Sequence, residues 1–301
     1  MNSTDIDHVI DEAANLVTGL YIFPELGERL GALLRSNAAA GRYHGADGPE
    51  SLAALVTADL QSLNGDLHLR LLFHADEVPD LPGPEMVHTM IAEEAARTLG
   101  GVAGIRRLDG NVAHLELGPL LFPPSIAGDV ITAAMRVVAG AAALILDLRG
   151  TRGGDPAMVK VICGYLFDEP VHLIDLYHRK DERTEQSWSQ PYVPGPRFGA
   201  TKPVYVLTSA TTFSGGEELA YDLQQLKRAT VVGERTRGGA HAREGYRVHP
   251  HLEVTIPVVR GVSPVSGTNW EGVGVEPDIA VSAEEALRAA HRLATGLPWP
   301  V

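Results

Sequence analysis

One serine occurs in a setting that suits nucleophilic chemistry. Residues 203–219 read as a buried strand, a hydroxyl-rich turn, and a helix that opens directly after Ser214 and two glycines. A hydroxyl at the start of a helix lies near backbone amides without a helical partner, where a developing oxyanion can be stabilised. The spacing also suits an ordinary helix cap, with Glu217 completing a capping box. Ser214 is therefore a candidate nucleophile, and the Gly215 amide is a candidate oxyanion donor.

A second buried strand ends in a glycine-rich turn. Residues 144–155 run from apolar strand residues through Arg149 to Gly153 and Gly154, ahead of another helix. The carboxyl ends of parallel strands meet at one edge of an open α/β sheet, which is the usual ligand position. We expect the two glycine amides to face Ser214 there, with Arg149 as a candidate to bind a substrate carboxylate. These glycines do not form a phosphate loop, because the Lys-Ser/Thr ending of that motif is missing.

Four motifs in order along the chain resemble the tail-specific, or carboxyl-terminal processing, proteases. Three read Asp-Leu-Arg-Gly-x-x-Gly-Gly at 147–154, Thr-Ser-x-x-Thr-x-Ser-x-x-Glu at 208–217 and Val-Val-Gly-Glu-x-Thr-x-Gly-Gly at 231–239. The fourth, residues 264–278, together with Asp-Leu-His-Leu at 66–69, is similar to the branch that includes interphotoreceptor retinoid-binding protein. The resemblance covers most of residues 66–281. It implies a crotonase-like ββα core, a nucleophile at Ser214, and oxyanion amides at Gly153 and Gly215.

The sequence leaves the general base open. The processing proteases place a lysine where this chain has Gly239, so a Ser-Lys pair is excluded at that position. Tricorn-type relatives use a histidine and a glutamate; the resemblance matches the glutamate to Glu271 and the histidine position to Glu116, with His114 two residues earlier. Residues two apart on a strand share a face, so His114 could act as the base and Glu116 could contact substrate. His241, on the glycine turn, is the other candidate base, and Glu271 could orient its ring.

The remaining histidine and cysteine patterns predict no metal or cofactor. His249 and His251 could share one side of a strand, but no third ligand at suitable spacing accompanies them, and a zinc site needs three or four. Cys163 lies in an apolar run without a polar activator, which is typical of a buried thiol.

The elements that must position these residues fall into two predicted domains. Residues 1–65 contain three amphipathic helical patterns, with first helical residues at Pro24 and Pro49 in the second and third. From residue 66 to residue 301, strand and helix patterns alternate. Continuous apolar strands at 142–146 and 204–207 indicate a sheet covered on both faces. Further helices are predicted at 85–99, 126–138, 158–167, 217–226 and 283–294. The fold class is therefore α/β with a small helical domain at the amino terminus.

Composition limits the partners. The 301 residues are 45% hydrophobic and carry a net charge of −13, which argues against a nucleic-acid partner because phosphates are neutralised by clustered Lys and Arg. No signal peptide or run of about 20 apolar residues is evident, which predicts a cytoplasmic protein without a membrane span. The oligomeric state is left open.

Two classes of function fit these residues. The first is acyl transfer or hydrolysis on a peptide, or on a small amide or ester, through Ser214. The second is a carrier of an apolar small molecule, as the resemblance to the retinoid-binding branch implies, with Ser214 a relic. A biosynthetic enzyme that uses the same crevice on a small molecule is a further alternative, and fold alone does not decide among them.

Overall fold

The chain divides into two compact units. A computed structural model describes residues 2–79, 83–297 and 299. The first unit comprises 1–83, 176–185 and 241–261, and the second comprises 84–175, 186–240 and 262–301. This division differs from the predicted boundary at residue 65, because residues 66–83, 176–185 and 241–261 share a unit with the amino-terminal helices. Residues 1 and 301, the outer ends of the predicted domains, lie outside the described residues.

The described elements are helices at the start and a mixture of helices and strands after them. The helices are α1 Ser3–Leu20, α2 Pro24–Ala39, α3 Pro49–Leu60, α4 Pro84–Arg97, α5 Pro124–Val138, α6 Pro156–Leu166, α7 Gly215–Gln225 and α8 Ala283–Thr295, with a 3₁₀ turn at Leu99–Gly101. The strands are β1 Arg70–Phe73, β2 Val102–Leu108, β3 Val112–Leu117, β4 Ala143–Asp147, β5 His172–His178, β6 Arg183–Trp188, β7 Val204–Thr208, β8 Thr230–Gly233, β9 His241–His249, β10 Leu252–Val262 and β11 Ile279–Ala280. The α/β fold class with a helical amino-terminal region is confirmed.

The first unit packs α1, α2 and α3 with an antiparallel sheet. Pro24 and Pro49 are the first residues of α2 and α3, as predicted, because proline has no N–H to leave unpaired and its φ suits a helix. Strand β10 pairs antiparallel with both β1 and β9. Apolar residues of the helices and strands form one buried cluster, which includes Val17, Leu30, Leu52, Leu71 and Val254. This shared core explains why residues 241–261 join the amino-terminal helices.

The second unit is built on a six-stranded sheet with the order β11-β8-β7-β4-β3-β2. Strands β3, β4, β7 and β8 are parallel, whereas β2 runs antiparallel to β3. Helix α8 covers one face through a cluster that includes Ile145 and Leu207. Leu144 and Leu146 alternate with Ile145, point to the other face and are also buried. The predicted two-sided burial of these strands is therefore confirmed, and the carboxyl ends of β4 and β7 lie side by side.

No helix in the part of the chain that the structure describes combines the length and the apolar character needed to cross a bilayer.

Candidate active site

The turn between β7 and α7 holds Ser214 in an unusual backbone conformation. Ser214 has φ 52° and ψ −120°, in the positive-φ region that non-glycine residues rarely adopt. Such a conformation costs about 1–3 kcal/mol and persists only where surrounding contacts enforce it. Two backbone contacts flank the residue: Phe213 N–H donates to the Thr151 carbonyl (3.1 Å), and Ser214 N–H donates to Glu217 Oε2 (2.8 Å). The Glu217 half of the expected capping box is therefore present.

Gly153 lies against the side chain of Ser214. Its φ is 140°, and a Cβ at this position would lie 3.4 Å from Ser214 Cβ and 3.8 Å from Ser214 Oγ. The Gly153 carbonyl accepts a hydrogen bond from Leu121 N–H (2.9 Å), which fixes the turn. The N–H groups of Gly153 and Gly215 donate to no acceptor among the described residues. Gly153 and Gly215 thus lie next to Ser214, each with an N–H group that no other described residue uses.

Gly154 and Gly215 allow two backbones to pack closely. A Cβ on Gly154 would lie 2.3 Å from the Leu121 carbonyl oxygen, and one on Gly215 would lie 2.9 Å from the Gly154 carbonyl oxygen. Only glycine fits at such distances. Gly154 therefore supports the turn that presents Gly153.

His241, a predicted base, begins β9 in the first unit and is paired with an aspartate. Its Nδ1 lies 2.9 Å from Asp66 Oδ2, and both side chains are buried. Asp66 also accepts from the Tyr21 hydroxyl (2.9 Å) and from His68 N–H (3.0 Å). Burial raises the pKa of Asp66, but the bonds from His241, His68 and Tyr21 outweigh it, so this pKa lies below its ordinary value. An ionised Asp66 can only accept hydrogen bonds, so the proton of the neutral His241 ring lies on Nδ1. Nε2 is then the ring nitrogen that can accept a proton.

Sequence reasoning missed Asp66 and also His68. His68 is buried, and its backbone N–H binds the same carboxylate that holds His241. Strand β1 begins only at Arg70, because the Asp66 side chain accepts from His68 N–H and turns the backbone there. The Asp-Leu-His run at 66–68 was the available signal, and it makes His68 a second candidate imidazole.

Glu271 lies in the second unit and holds the end of the glycine turn. Its Oε2 accepts a hydrogen bond from Ala240 N–H (2.6 Å), and the neighbouring Trp270 donates through Nε1 to the Gly239 carbonyl (2.9 Å). These contacts fix the two residues that directly precede His241. The predicted orienting role of Glu271 toward His241 stays a prediction.

His114 has both ring nitrogens occupied. Its Nε2 lies 2.9 Å from Asp147 Oδ2, and its Nδ1 accepts from Arg106 (3.2 and 3.3 Å). Burial raises the pKa of Asp147, but the bonds from Arg149 and His114 outweigh this and hold the pKa at about 2. A general base needs a lone pair facing its substrate. The geometry therefore argues against His114 as the base and gives it a structural role between Arg106 of β2 and Asp147 at the end of β4.

Glu116 and Arg149, the predicted substrate contacts, line one cavity of about 440 Å³ at the carboxyl edge of the sheet. Arg149 is already bonded there: Nε and Nη2 donate to Asp147 (2.9 and 2.6 Å), and Nη1 donates to the Ala283 carbonyl (2.6 Å). A substrate carboxylate would have to compete with these partners. Substrate binding by Glu116 and Arg149 stays a prediction.

Known proteins are similar to this chain in part of its sequence or in its fold. The chain is 28% identical over 173 residues to tricorn protease homolog 2 of Streptomyces coelicolor, covering 55% of this chain and 12% of that protein. It is 29% identical over 146 residues to the chloroplastic C-terminal processing peptidase of Tetradesmus obliquus, covering 48% of this chain and 30% of that protein. The chain thus spans well under half the length of these curated relatives. A peptidase structure from Parabacteroides merdae has the same fold, with a TM-score of 0.66, 16% identity, and coverage of 98% of this chain and 97% of that one.

Two family models match the chain. The N-terminal domain of peptidase S41 in eukaryotic IRBP matches residues 3–98. The model of peptidase family S41 matches residues 124–281, which hold Ser214 and both glycine turns and make up more than half of the sequence. The chain therefore belongs to peptidase family S41.

Proposed function

We propose that this chain is a serine peptidase whose nucleophile is Ser214. The observation that carries the proposal is the approach of Gly153 to the Ser214 side chain at the amino-terminal end of α7. In this mechanism Ser214 Oγ attacks the carbonyl carbon of a scissile peptide bond. The Gly153 and Gly215 amides then donate hydrogen bonds to the carbonyl oxygen, which becomes negatively charged. Donors already in place at this oxygen stabilise the transition state. An acyl-enzyme forms, and water hydrolyses it.

For the general base we propose His241. Asp66 keeps the proton on Nδ1, so Nε2 is the nitrogen that would take the serine proton and pass it to the leaving amine. His241 lies two residues after Gly239 in the sequence. The N–H group of Gly239 donates a hydrogen bond to Glu217 within the second unit. His68 is the competing imidazole, because it lies beside the same aspartate.

A peptide is the substrate class that family membership supports. Both curated relatives carry peptidase or protease names, and each is much longer than the part it shares with this chain. A small amide or ester would undergo the same acyl transfer.

Labelling with a fluorophosphonate probe tests the nucleophile directly. We expect the wild-type protein to be labelled and Ser214→Ala to stay unlabelled, with cleavage of a mixed peptide library by the wild type alone. Parallel His241→Ala and His68→Ala proteins identify the base, and we expect the larger loss at His241. An unlabelled wild type that binds a retinoid-like apolar ligand saturably would overturn the peptidase and support a carrier. Labelling with turnover of small esters but no peptides would replace the peptide substrate by an ester.

A further inference from the structure

Glu217 is a buried carboxylate that joins two chain segments of the second unit. It lies in the first turn of α7 and is fully buried. Its Oε2 accepts from the N–H groups of Ser214 (2.8 Å) and Gly239 (2.9 Å). Its Oε1 accepts from Gly238 N–H (2.6 Å) and from the Thr236 hydroxyl (2.5 Å). A capping-box glutamate needs only the first of these bonds, so the other three require a different explanation.

All four groups around this side chain are donors. The three backbone N–H groups cannot accept, and the Thr236 hydroxyl already receives a hydrogen bond from Val275 N–H (2.7 Å), which directs its own proton toward Glu217. A protonated Glu217 would point its O–H at one of these donors. Burial raises the pKa of Glu217 above its ordinary value, although the four hydrogen bonds favour the carboxylate. The four donors thus select the ionised form by their geometry, and its charge also suits the amino-terminal end of a helix.

The two segments that this carboxylate ties together matter for different reasons. One is the turn of Ser214, whose φ of 52° needs an external restraint. The other is the run 236–239, which leads through Ala240 to His241. A charge-assisted hydrogen bond to the Ser214 amide is the kind of contact that can maintain the strained backbone.

We infer that Glu217 is a positioning residue for the peptidase reaction: its carboxylate fixes the Ser214 backbone and the 236–239 turn relative to each other. The inference rests on the proposed function. Glu217 itself does not touch the reacting atoms and acts through the placement of Ser214. Its loss should lower the rate of attack by Ser214 while leaving substrate affinity nearly unchanged.

Glutamine is a demanding probe because it keeps the shape but replaces one carboxylate oxygen, which accepts two of the four hydrogen bonds, with an NH₂ donor. Whichever way the amide is turned, its NH₂ group meets at least one buried backbone N–H. The less costly orientation keeps the oxygen toward Ser214 and Gly239 and places the NH₂ group against Gly238. Glu218→Gln is the matched control, since Glu218 is the next residue, is also buried, and receives no hydrogen bond at Oε1 from any described residue.

The experiment compares fluorophosphonate labelling rates per folded molecule, with the folded fraction measured by circular dichroism below each melting temperature. We expect Glu217→Gln to lower the labelling rate and kcat about 10- to 100-fold with little change in KM, and Glu218→Gln to stay within about twofold of the wild type. A purely structural role would lower the melting temperature and leave the rate per folded molecule unchanged. Folded Glu217→Gln that is labelled at the wild-type rate overturns the inference.

A second variant covers the case in which Glu217→Gln does not fold. Thr236→Val removes one of the four donors and keeps the bond to Ser214, so we expect a labelling rate about threefold lower per folded molecule; a wild-type rate would overturn the inference. Failure of the proposed function is distinguishable, because the wild-type protein itself would then show no labelling that depends on Ser214.

Discussion

Two buried carboxyl groups on α7 predict an unusual dependence of stability on pH. Glu218 and Asp222 are four residues apart and therefore share one face of the helix. Both are buried, and no described donor reaches Glu218 Oε1 or either carboxyl oxygen of Asp222. Burial raises the pKa of Glu218 to about 7, and burial together with the neighbouring Glu218 raises that of Asp222 well above its ordinary value. The pair is therefore expected to be largely protonated in the folded protein at mildly acidic pH.

The groups around the pair do not remove this cost. Lys160 on α6 favours ionisation of Glu218, whereas Asp155, at the amino-terminal cap of α6, opposes it. Cys163, also on α6, is buried, and burial raises its thiol pKa, so it stays neutral and does not affect the charge balance of the pair. Arg228, beyond the end of α7, donates to the Leu166 and Gly199 carbonyls. Glu218 thus ionises late because the surrounding helices supply too little compensation.

The size of the effect follows from the two pKa values. In the unfolded chain a glutamate ionises near 4.5, whereas in the folded chain Glu218 ionises near 7. The folded state therefore binds more protons between these values, and stability falls as pH rises from about 4.5 to about 7, then levels off for this group. The gap corresponds to about 3 kcal/mol in the free energy of unfolding. Asp222 extends the decline to higher pH.

Glu218→Gln should remove this decline. We expect the free energy of unfolding of the variant, relative to the wild type, to rise by about 3 kcal/mol between pH 4 and pH 8. Urea titrations at several pH values measure it, with Glu93→Gln as a control because Glu93 is an exposed helical glutamate of the same unit. If the difference between variant and wild type is the same at pH 4 and pH 8, the buried-acid explanation is wrong.

Three further substitutions test the site. Gly153→Ala places a methyl group against Ser214 at a φ of 140°, so fluorophosphonate labelling should fall about 100-fold; labelling at the wild-type rate would contradict the contact. Asp66→Asn removes the charge that keeps the proton on Nδ1 of His241, and kcat should fall about 10²- to 10⁴-fold; an unchanged kcat would exclude this pair from the mechanism. Arg149→Lys loses the paired bonds to the buried carboxylate at the end of β4 and should destabilise the protein by about 2–4 kcal/mol in urea titrations, whereas a stability change below about 0.5 kcal/mol would refute that role.

The local parts of the fold were predictable from the sequence. Apolar residues at helical spacing and proline at first helical positions predicted α2 and α3, and continuous apolar runs predicted β4 and β7. These signals are local because they depend on the burial of one face or on backbone geometry. Parallel pairing of neighbouring strands then brought the turns at Gly153 and Ser214 together, as expected from the sheet edge.

The composition of the first unit was not predictable in the same way. Residues 241–261 fall within the predicted α/β core of residues 66–301, yet the structure places them in the unit of the amino-terminal helices. Alternating apolar residues specify which face of a strand is buried but not which strand is its partner. Val254 pairs with Leu71 across a long sequence separation. For the same reason the contact between Asp66 and His241, 175 residues apart, left no sign in either local pattern.

The sequence motifs around Ser214 and Gly239 acquire a joint physical meaning only in the structure. Read separately, the Ser-x-x-Glu spacing predicts a capping box, and Thr-x-Gly-Gly predicts a flexible turn. The structure shows that the Glu217 carboxylate needs a hydroxyl from Thr236 and two adjacent backbone amides, and that Gly238 adopts φ 90°, a conformation that favours glycine. The threonine and glycines of the Thr-x-Gly-Gly run at 236–239 are therefore explained by the negative charge of Glu217, to which they donate hydrogen bonds. Since a carboxylate with four donors cannot be replaced without also replacing those donors, substitutions in the two motifs should be strongly non-additive.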